Sequence, residues 1–175
     1  MLNKGAVPVL LISPEKDEQV KQWKCQCILV PLDGDPEHEA GLDMAVELSK
    51  ICQAKLHLVM VIHELSTLPG EQAASAVMLP NVTSALLDLD CEEAELYLVE
   101  LMGKLIDKDI PVTGEVLRGD PARQIAYSAL EIKADMIALG THSKTAMDAF
   151  WSGSVTPKLA TQTHLPLLLV PVTEG

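Results

Sequence analysis

Residues 137–156 read IALGTHSKTAMDAFWSGSVT, and the meaning of the rest of the chain depends on how this stretch divides. Ile137, Ala138 and Leu139 form a short apolar run that stops at Gly140, the residue type best able to turn a backbone sharply or let another group approach it. A strand is therefore expected to end at Gly140. Thirteen positions later, Gly153-Ser154 precede Val155, Leu159 and Ala160, so Ser154 is placed as a helix N-cap with free backbone N–H groups beyond it. Such a helix start attracts anions.

Working outward, the same apolar signature recurs. Residues 25–32, CQCILVPL, read as a first strand ending at Asp33-Gly34, after which Pro36 and Glu37 open a helix over residues 37–53. Ala40, Met44, Leu48 and Ile51 are its expected buried face, with Glu39, Asp43, Glu47 and Lys50 outward. Residues 55–62, KLHLVMVI, form a second strand, and the strand-helix-strand unit implies a right-handed crossover. Residues 91–107 read as a second helix with Ala94, Leu98, Leu101 and Leu105 on one side, and residues 112–117 as a third strand. Asp120-Pro121 supplies an N-cap and a proline at the first helical position, ahead of Ile125, Ala129 and Ile132. Strand four covers residues 136–139, helix four residues 154–163 with Pro157 in its first turn, and strand five residues 167–170.

Two segments fall outside this alternation. Between residues 64 and 90 the pattern weakens and two prolines appear, which reads as a long loop with a short helix near residues 72–78. It is expected to act either as a lid or partner surface, or as a passive insertion packing Val77, Met78 and Leu79. The chain divides into an arm and linker over residues 1–22 and a domain over residues 23–175. Val7-Pro8-Val9-Leu10-Leu11-Ile12-Ser13-Pro14 resembles the chain's own end, Leu165-Pro166-Leu167-Leu168-Leu169-Val170-Pro171. Residues 9–12 are therefore expected to add a strand along an exposed edge, of this subunit or a neighbour's, with a loose arm as the alternative.

At 175 residues the chain suits one domain, and with only 3% aromatic residues its interior must be filled by aliphatic side chains, as in buried parallel strands. A net charge of −12 excludes a nucleic-acid backbone as the expected partner, since that interaction draws on clustered Lys and Arg. No run approaches the roughly 20 apolar residues of a membrane span, and no signal sequence opens the chain, so a cytoplasmic location is expected. Cys25, Cys27, Cys52 and Cys91 form no paired CxxC modules and read as reduced core thiols; zinc, with His57 and His63 as further ligands, is the weaker alternative.

The turn of residues 140–155 resembles the nucleotide-binding loop of the universal stress protein family, Gly-x-x-Gly-x(9)-Gly-Ser after an apolar strand. The match runs from Gly140-Thr141-His142-Ser143 to Gly153-Ser154-Val155, with Ser143 standing where the family has its second glycine. The resemblance implies an α/β fold: a doubly wound, open, five-stranded parallel sheet in the order 3-2-1-4-5 with helices on both faces, here with an extra N-terminal strand. It also implies an adenine nucleotide, ATP or AMP, with Mg²⁺ accompanying ATP. Asp33 would meet the adenine, Pro31 and Val61 would lie beside the base and ribose, and Leu139, Gly140, Gly153, Ser154 and Val155 would take ribose and phosphates, with His142, Ser143 and Lys144 close by. A homodimer through the last-strand edge and the arm, acting in stress response, completes the expectation.

Two alternatives stay open on the residues themselves. Asp33 and Ser154 would each cap a helix whether or not a ligand binds. If Ser143 fills the turn, the chain is a nucleotide-free dimeric scaffold for a protein partner. A weak ATP hydrolase using Asp33 and His142 is the less favoured reading, because no GxSxG, GxxxxGK[ST] or HExxH motif is present.

Overall fold

The computed structural model describes residues 7–13, 23–36, 39–141 and 155–171. In chain order the elements are β1 (Val9–Leu11), β2 (Cys27–Leu32), α1 (Ala40–Cys52), β3 (Lys55–Ile62), α2 (Gly70–Met78), α3 (Pro80–Ile106), β4 (Val112–Arg118), α4 (Pro121–Glu131), β5 (Met136–Thr141), α5 (Thr156–Gln162) and β6 (Leu167–Pro171). They build one sheet in the order β1-β6-β5-β2-β3-β4. Counted from β2, the five parallel strands stand in the expected order 3-2-1-4-5. β1 is added antiparallel beside β6, with Val9 opposite Leu169, Leu10 opposite Leu168 and Leu11 opposite Leu167.

The strands read as unbroken apolar runs because both faces are covered. On one face, α1 and α3 bring Leu42, Ala45, Ala94, Leu98 and Leu101 against Ile28, Val30, Leu56, Leu58 and Ala138. On the other, α4 and α5 bring Ile125, Ala129 and Leu159 against Leu29, Val59, Ile137 and Leu169. Side chains alternate between faces along a strand, so each central strand feeds both groups. Connections from β2 and from β5 therefore leave toward opposite faces, and the sheet is doubly wound.

Local chemistry fixes the joints. The Asp120 carboxylate accepts the N–H of Arg123 at 3.0 Å and Pro121 opens α4, as the dipeptide predicts. The Asp135 carboxylate, just before β5, accepts the N–H groups of Gln26 and Cys27 at 2.7 and 2.9 Å. One side chain thus ties the start of β2 to the start of β5.

Several expectations change. Residues 64–90 are not a long loop: a 3₁₀ turn at Leu65–Thr67, α2 and the first turns of α3 occupy them. Both prolines sit where a helix tolerates them, Pro69 just ahead of α2 and Pro80 at the first position of α3. The second helix therefore starts at Pro80 and not near residue 91. Its first half hid from a periodicity reading because Val82, Leu86 and Leu89 lie exposed, opposite the buried Leu87. In α1, Ala40, Met44 and Leu48 pack partly buried against the core beside the fully buried Leu42, Ala45 and Ser49, but Ile51 is 77% exposed. β1 beside β6 is one of the two placements expected for residues 9–12, an added strand along an edge of the chain's own sheet.

Candidate functional site

In an open doubly wound sheet, the place where neighbouring crossovers diverge opens a crevice at the carboxyl ends of the strands. Here that place lies between β2 and β5. Their pairing covers Ile28 with Met136 and Leu29 with Ile137, while β2 continues to Leu32 and β5 to Thr141. The two strands part at their C-terminal ends, with Asp33 following one and Gly140 near the end of the other.

Of the sequence-derived site residues, Pro31, Asp33, Val61, Leu139, Gly140 and Val155 are described. Val61, Leu139 and Val155 come together around the same buried group on the α4 and α5 side of the sheet. By alternation from Leu29, Pro31 shares that face. Leu32 stands opposite Met60, so Asp33 follows β2 level with Val61 on β3. His142, Ser143, Lys144, Gly153 and Ser154 lie outside the described residues, as does the proposed capping by Ser154; α5 is described from Thr156, with Val155 preceding it.

Asp33 closes a local turn ahead of the first helix. Its Oδ1 accepts the N–H of Asp35 at 3.0 Å, and α1 begins at Ala40 with no side chain capping it. Gly34 follows at φ 87°, a conformation that disfavours any side chain. The corner is acidic. Tyr97 of α3 donates to the Glu39 carboxylate, and burial first, then that bond and the charges of Glu39, Asp33 and Asp35 push the phenol above its ordinary range. Clustered carboxylates accept hydrogen bonds from an amine or hydroxyl and repel phosphate.

The end of β5 is held by a contact that the motif reading missed. A Cβ on Gly41 of α1 would lie 2.5 Å from the Gly140 nitrogen and 2.7 Å from the Leu139 carbonyl carbon. α1 thus rests backbone to backbone on the residues that begin the turn. The signal was an isolated glycine inside a helical pattern. Thr141 is buried, and its hydroxyl donates to the Val170 carbonyl at 3.3 Å, fixing β5 to β6.

The thiols and histidines weighed for zinc have other neighbours. His57 is 2.7 Å from Thr113 Oγ1 through Nδ1 and 3.2 Å from Glu115 Oε1 through Nε2; His63 Nδ1 is 3.3 Å from Thr67 Oγ1. Among the described residues no group of three or more His, Cys, Asp or Glu side chains is placed to hold a metal ion, and no helix is long and apolar enough to cross a membrane. A second concavity, about 400 Å³ between α1 and α3, is lined by Glu39, Asp43, Tyr97, Glu100, Lys104 and Lys108 among others. It lies on the α1–α3 side of the sheet, opposite the Val61–Leu139 side.

Comparison with known proteins agrees with this architecture. The chain is 29% identical to the universal stress protein MJ0531 of Methanocaldococcus jannaschii over 143 residues, 82% of this chain and 80% of that protein. A solved universal stress protein from Burkholderia pseudomallei is 25% identical, with a TM-score of 0.64 over 84% of this chain and 96% of its own. A universal stress protein from Archaeoglobus fulgidus, solved in complex with dAMP, shares the fold at 15% identity and a TM-score of 0.57, over 85% of this chain and 99% of its own. The model of the universal stress protein family matches residues 25–171, taking in every strand of the parallel sheet and the glycine-bounded turn, and the chain belongs to that family.

Proposed function

We propose that this protein binds an adenine nucleotide, ATP or AMP, in the crevice between β2 and β5, and works as a regulatory module in stress response. The observation that carries the reading is the separation of β2 and β5 beyond Leu29 and Ile137, with an acidic corner at Asp33 on one lip and Gly140 on the other. The exocyclic amine of adenine and the ribose hydroxyls are donors, and they suit the Asp33 side. Pro31, Val61 and Leu139 offer apolar surface for the base. The phosphates then run toward Gly140, Gly153, Ser154 and Val155, with His142, Ser143 and Lys144 alongside. That direction keeps them clear of Asp33, Asp35 and Glu39. Mg²⁺ would arrive on the phosphates of ATP. The relative solved with dAMP supports an adenine nucleotide as the ligand class.

The test is calorimetric titration of the intact chain with ATP and AMP, repeated on Asp33→Ala and Ser143→Gly. The intact chain should bind, Asp33→Ala should weaken binding by about tenfold, the loss of one hydrogen bond to a charged group, and Ser143→Gly should strengthen it. Absence of binding in both the intact chain and Ser143→Gly overturns the reading. Binding in Ser143→Gly alone would favour the nucleotide-free scaffold. That second reading draws on the exposed apolar side chains Val77, Met78, Leu86, Leu89, Leu96 and Val99 of α2 and α3, a surface suited to a protein partner.

A further inference from the structure

α3 carries two apolar stripes, and the fold uses one of them. Leu87, Ala94 and Leu101 repeat at seven-residue intervals and, with Leu98 and Leu105, form its buried side. Val82, Leu89 and Leu96 repeat at the same interval, and Val99 and Ile106 continue it three positions out of step. At about 100° per residue this second stripe lies on the opposite side of the helix. All of its side chains are more than half exposed, Leu96 at 72% and Val99 at 64%. The seam runs from Val82 to Ile106, about 36 Å at 1.5 Å per residue. A seven-residue repeat held over several turns keeps an apolar seam in line with a partner helix.

The charges beside the seam have one sign. Glu93, Glu100 and Asp107 follow one edge and Asp88 and Glu95 the other, while Glu92 interrupts the seam itself, and all are exposed. Lys104 answers Glu100 at 2.7 Å and Arg118 answers Asp88 at 2.6 Å; among the described residues no cation pairs with Glu92, Glu93 or Glu95. A single charge in an apolar seam fixes the register of a helix pair by what it meets, and a carboxylate there calls for a cation. A second copy of the chain does not supply one. In parallel it sets Glu92 against Glu92. The antiparallel register that matches the apolar positions, Val82 with Ile106 and Leu89 with Val99, gathers Glu92, Glu93 and Glu95 of both chains at its centre. An anionic membrane surface is repelled by the same carboxylates, since helices that lie on membranes carry Lys and Arg beside the apolar face.

We propose that the outer side of α3 receives an amphipathic basic helix of a partner protein, its apolar seam laid along Val82 to Ile106, its Lys and Arg side chains on both flanks and one cation facing Glu92. The inference deepens the partner-surface reading of α2 and α3 and does not depend on nucleotide binding. The apolar seam supplies the affinity, and the pairing of carboxylates with cations selects the sign and orientation of the partner.

The test titrates the full-length protein, by fluorescence anisotropy at about 0.15 M salt, with two designed helical peptides of about four heptads. Both carry leucine along the seam; one is flanked by lysine and the other by glutamate. The lysine-flanked peptide should bind at least tenfold more tightly. Leu89→Ser/Leu96→Ser should weaken it at least tenfold, and Glu93→Lys/Glu95→Lys should reverse the preference; both variants change only exposed side chains. The proposal is overturned if the lysine-flanked peptide binds Leu89→Ser/Leu96→Ser as tightly as the parent, which is attraction to charge alone, or if neither peptide binds. Sedimentation equilibrium of the full-length protein without peptide covers the remaining case. A dimer that is lost in Leu89→Ser/Leu96→Ser would make this face a contact between copies, overturning the basic helix while the partner-surface reading stands.

Discussion

Replacing Gly41 by alanine tests the contact that seats α1 on the end of β5. On helix propensity alone the change should stabilise, since alanine gains about 1 kcal/mol over glycine inside a helix. The structure reverses the sign. The new Cβ would meet the Gly140 nitrogen at 2.5 Å and the Leu139 carbonyl carbon at 2.7 Å. Comfortable carbon contacts need about 3.5–4.0 Å, so helix and strand must separate by roughly 1 Å. Both obstructing atoms are backbone of β5 where it pairs with β6, and no rotamer change can relieve them. Overpacking costs about 1–3 kcal/mol, and a contact this short between backbone atoms belongs at the upper end, about 2–3 kcal/mol, which outweighs the propensity gain. A net loss of about 1–2 kcal/mol is expected, a fall in Tm of roughly 2–8 °C for a chain of this length. Urea denaturation followed by circular dichroism gives the free energy directly. Since the displaced atoms begin the Gly140 turn, nucleotide affinity should fall in parallel. A Gly41→Ala protein as stable as the parent would refute the close approach, and with it the account of how the turn is positioned.

Gly103, the other glycine inside a long helix, has no atom within 4 Å of its ideal Cβ, so Gly103→Ala should raise stability by up to about 1 kcal/mol in the same denaturation assay. Asp135→Ala removes the acceptor for two N–H groups at the start of β2 and should destabilise by about 1–3 kcal/mol, with amide protection lost first at Gln26 and Cys27. The thiols should separate by reactivity. Burial, reinforced by the adjacent Cys52, pushes Cys25 up to about 12, and burial also raises Cys27, so an alkylating reagent near neutral pH should label exposed Cys52 first and leave Cys25 and Cys27 intact until unfolding. The raised Cys25 value also fixes a sign: above pH 9 the unfolded thiol ionises while the folded one stays protonated. Its contribution to stability therefore falls between about pH 9 and 12, and chemical denaturation across that range should show the decline.

The parallel strands were legible because they are buried on both faces and carry unbroken apolar runs, and α4 because Asp120-Pro121 is an N-terminus by its own local chemistry. The sheet order came from the family resemblance; periodicity carries no information on it. β1 was legible through an internal repetition, though its choice of β6 within the same chain depended on a tether whose path sequence does not reveal. The start of α3 was missed because Val82, Leu86 and Leu89 lie on its solvent side, and apolar residues on two faces erase the helical stripe. Ile51 failed for a related reason: it is apolar and correctly spaced, but it falls in the last turn of α1, beyond the edge of the packed face. At the candidate site, Asp33 and Gly140 announced themselves by following apolar runs. Gly41 showed only as an isolated glycine in a helical pattern and Tyr97 not at all, since their roles arise from elements that meet only in three dimensions.

Amide-resolved NMR of the full-length protein titrated with AMP and with Mg²⁺ and ATP tests the proposed crevice most directly. Shifts should gather at Asp33, Val61, Leu139 to Thr141 and Val155, on both lips of the β2–β5 opening, and leave Glu100, Lys104 and Lys108 of the α1–α3 groove unmoved. Shifts confined to that groove, or none at millimolar nucleotide, would contradict it.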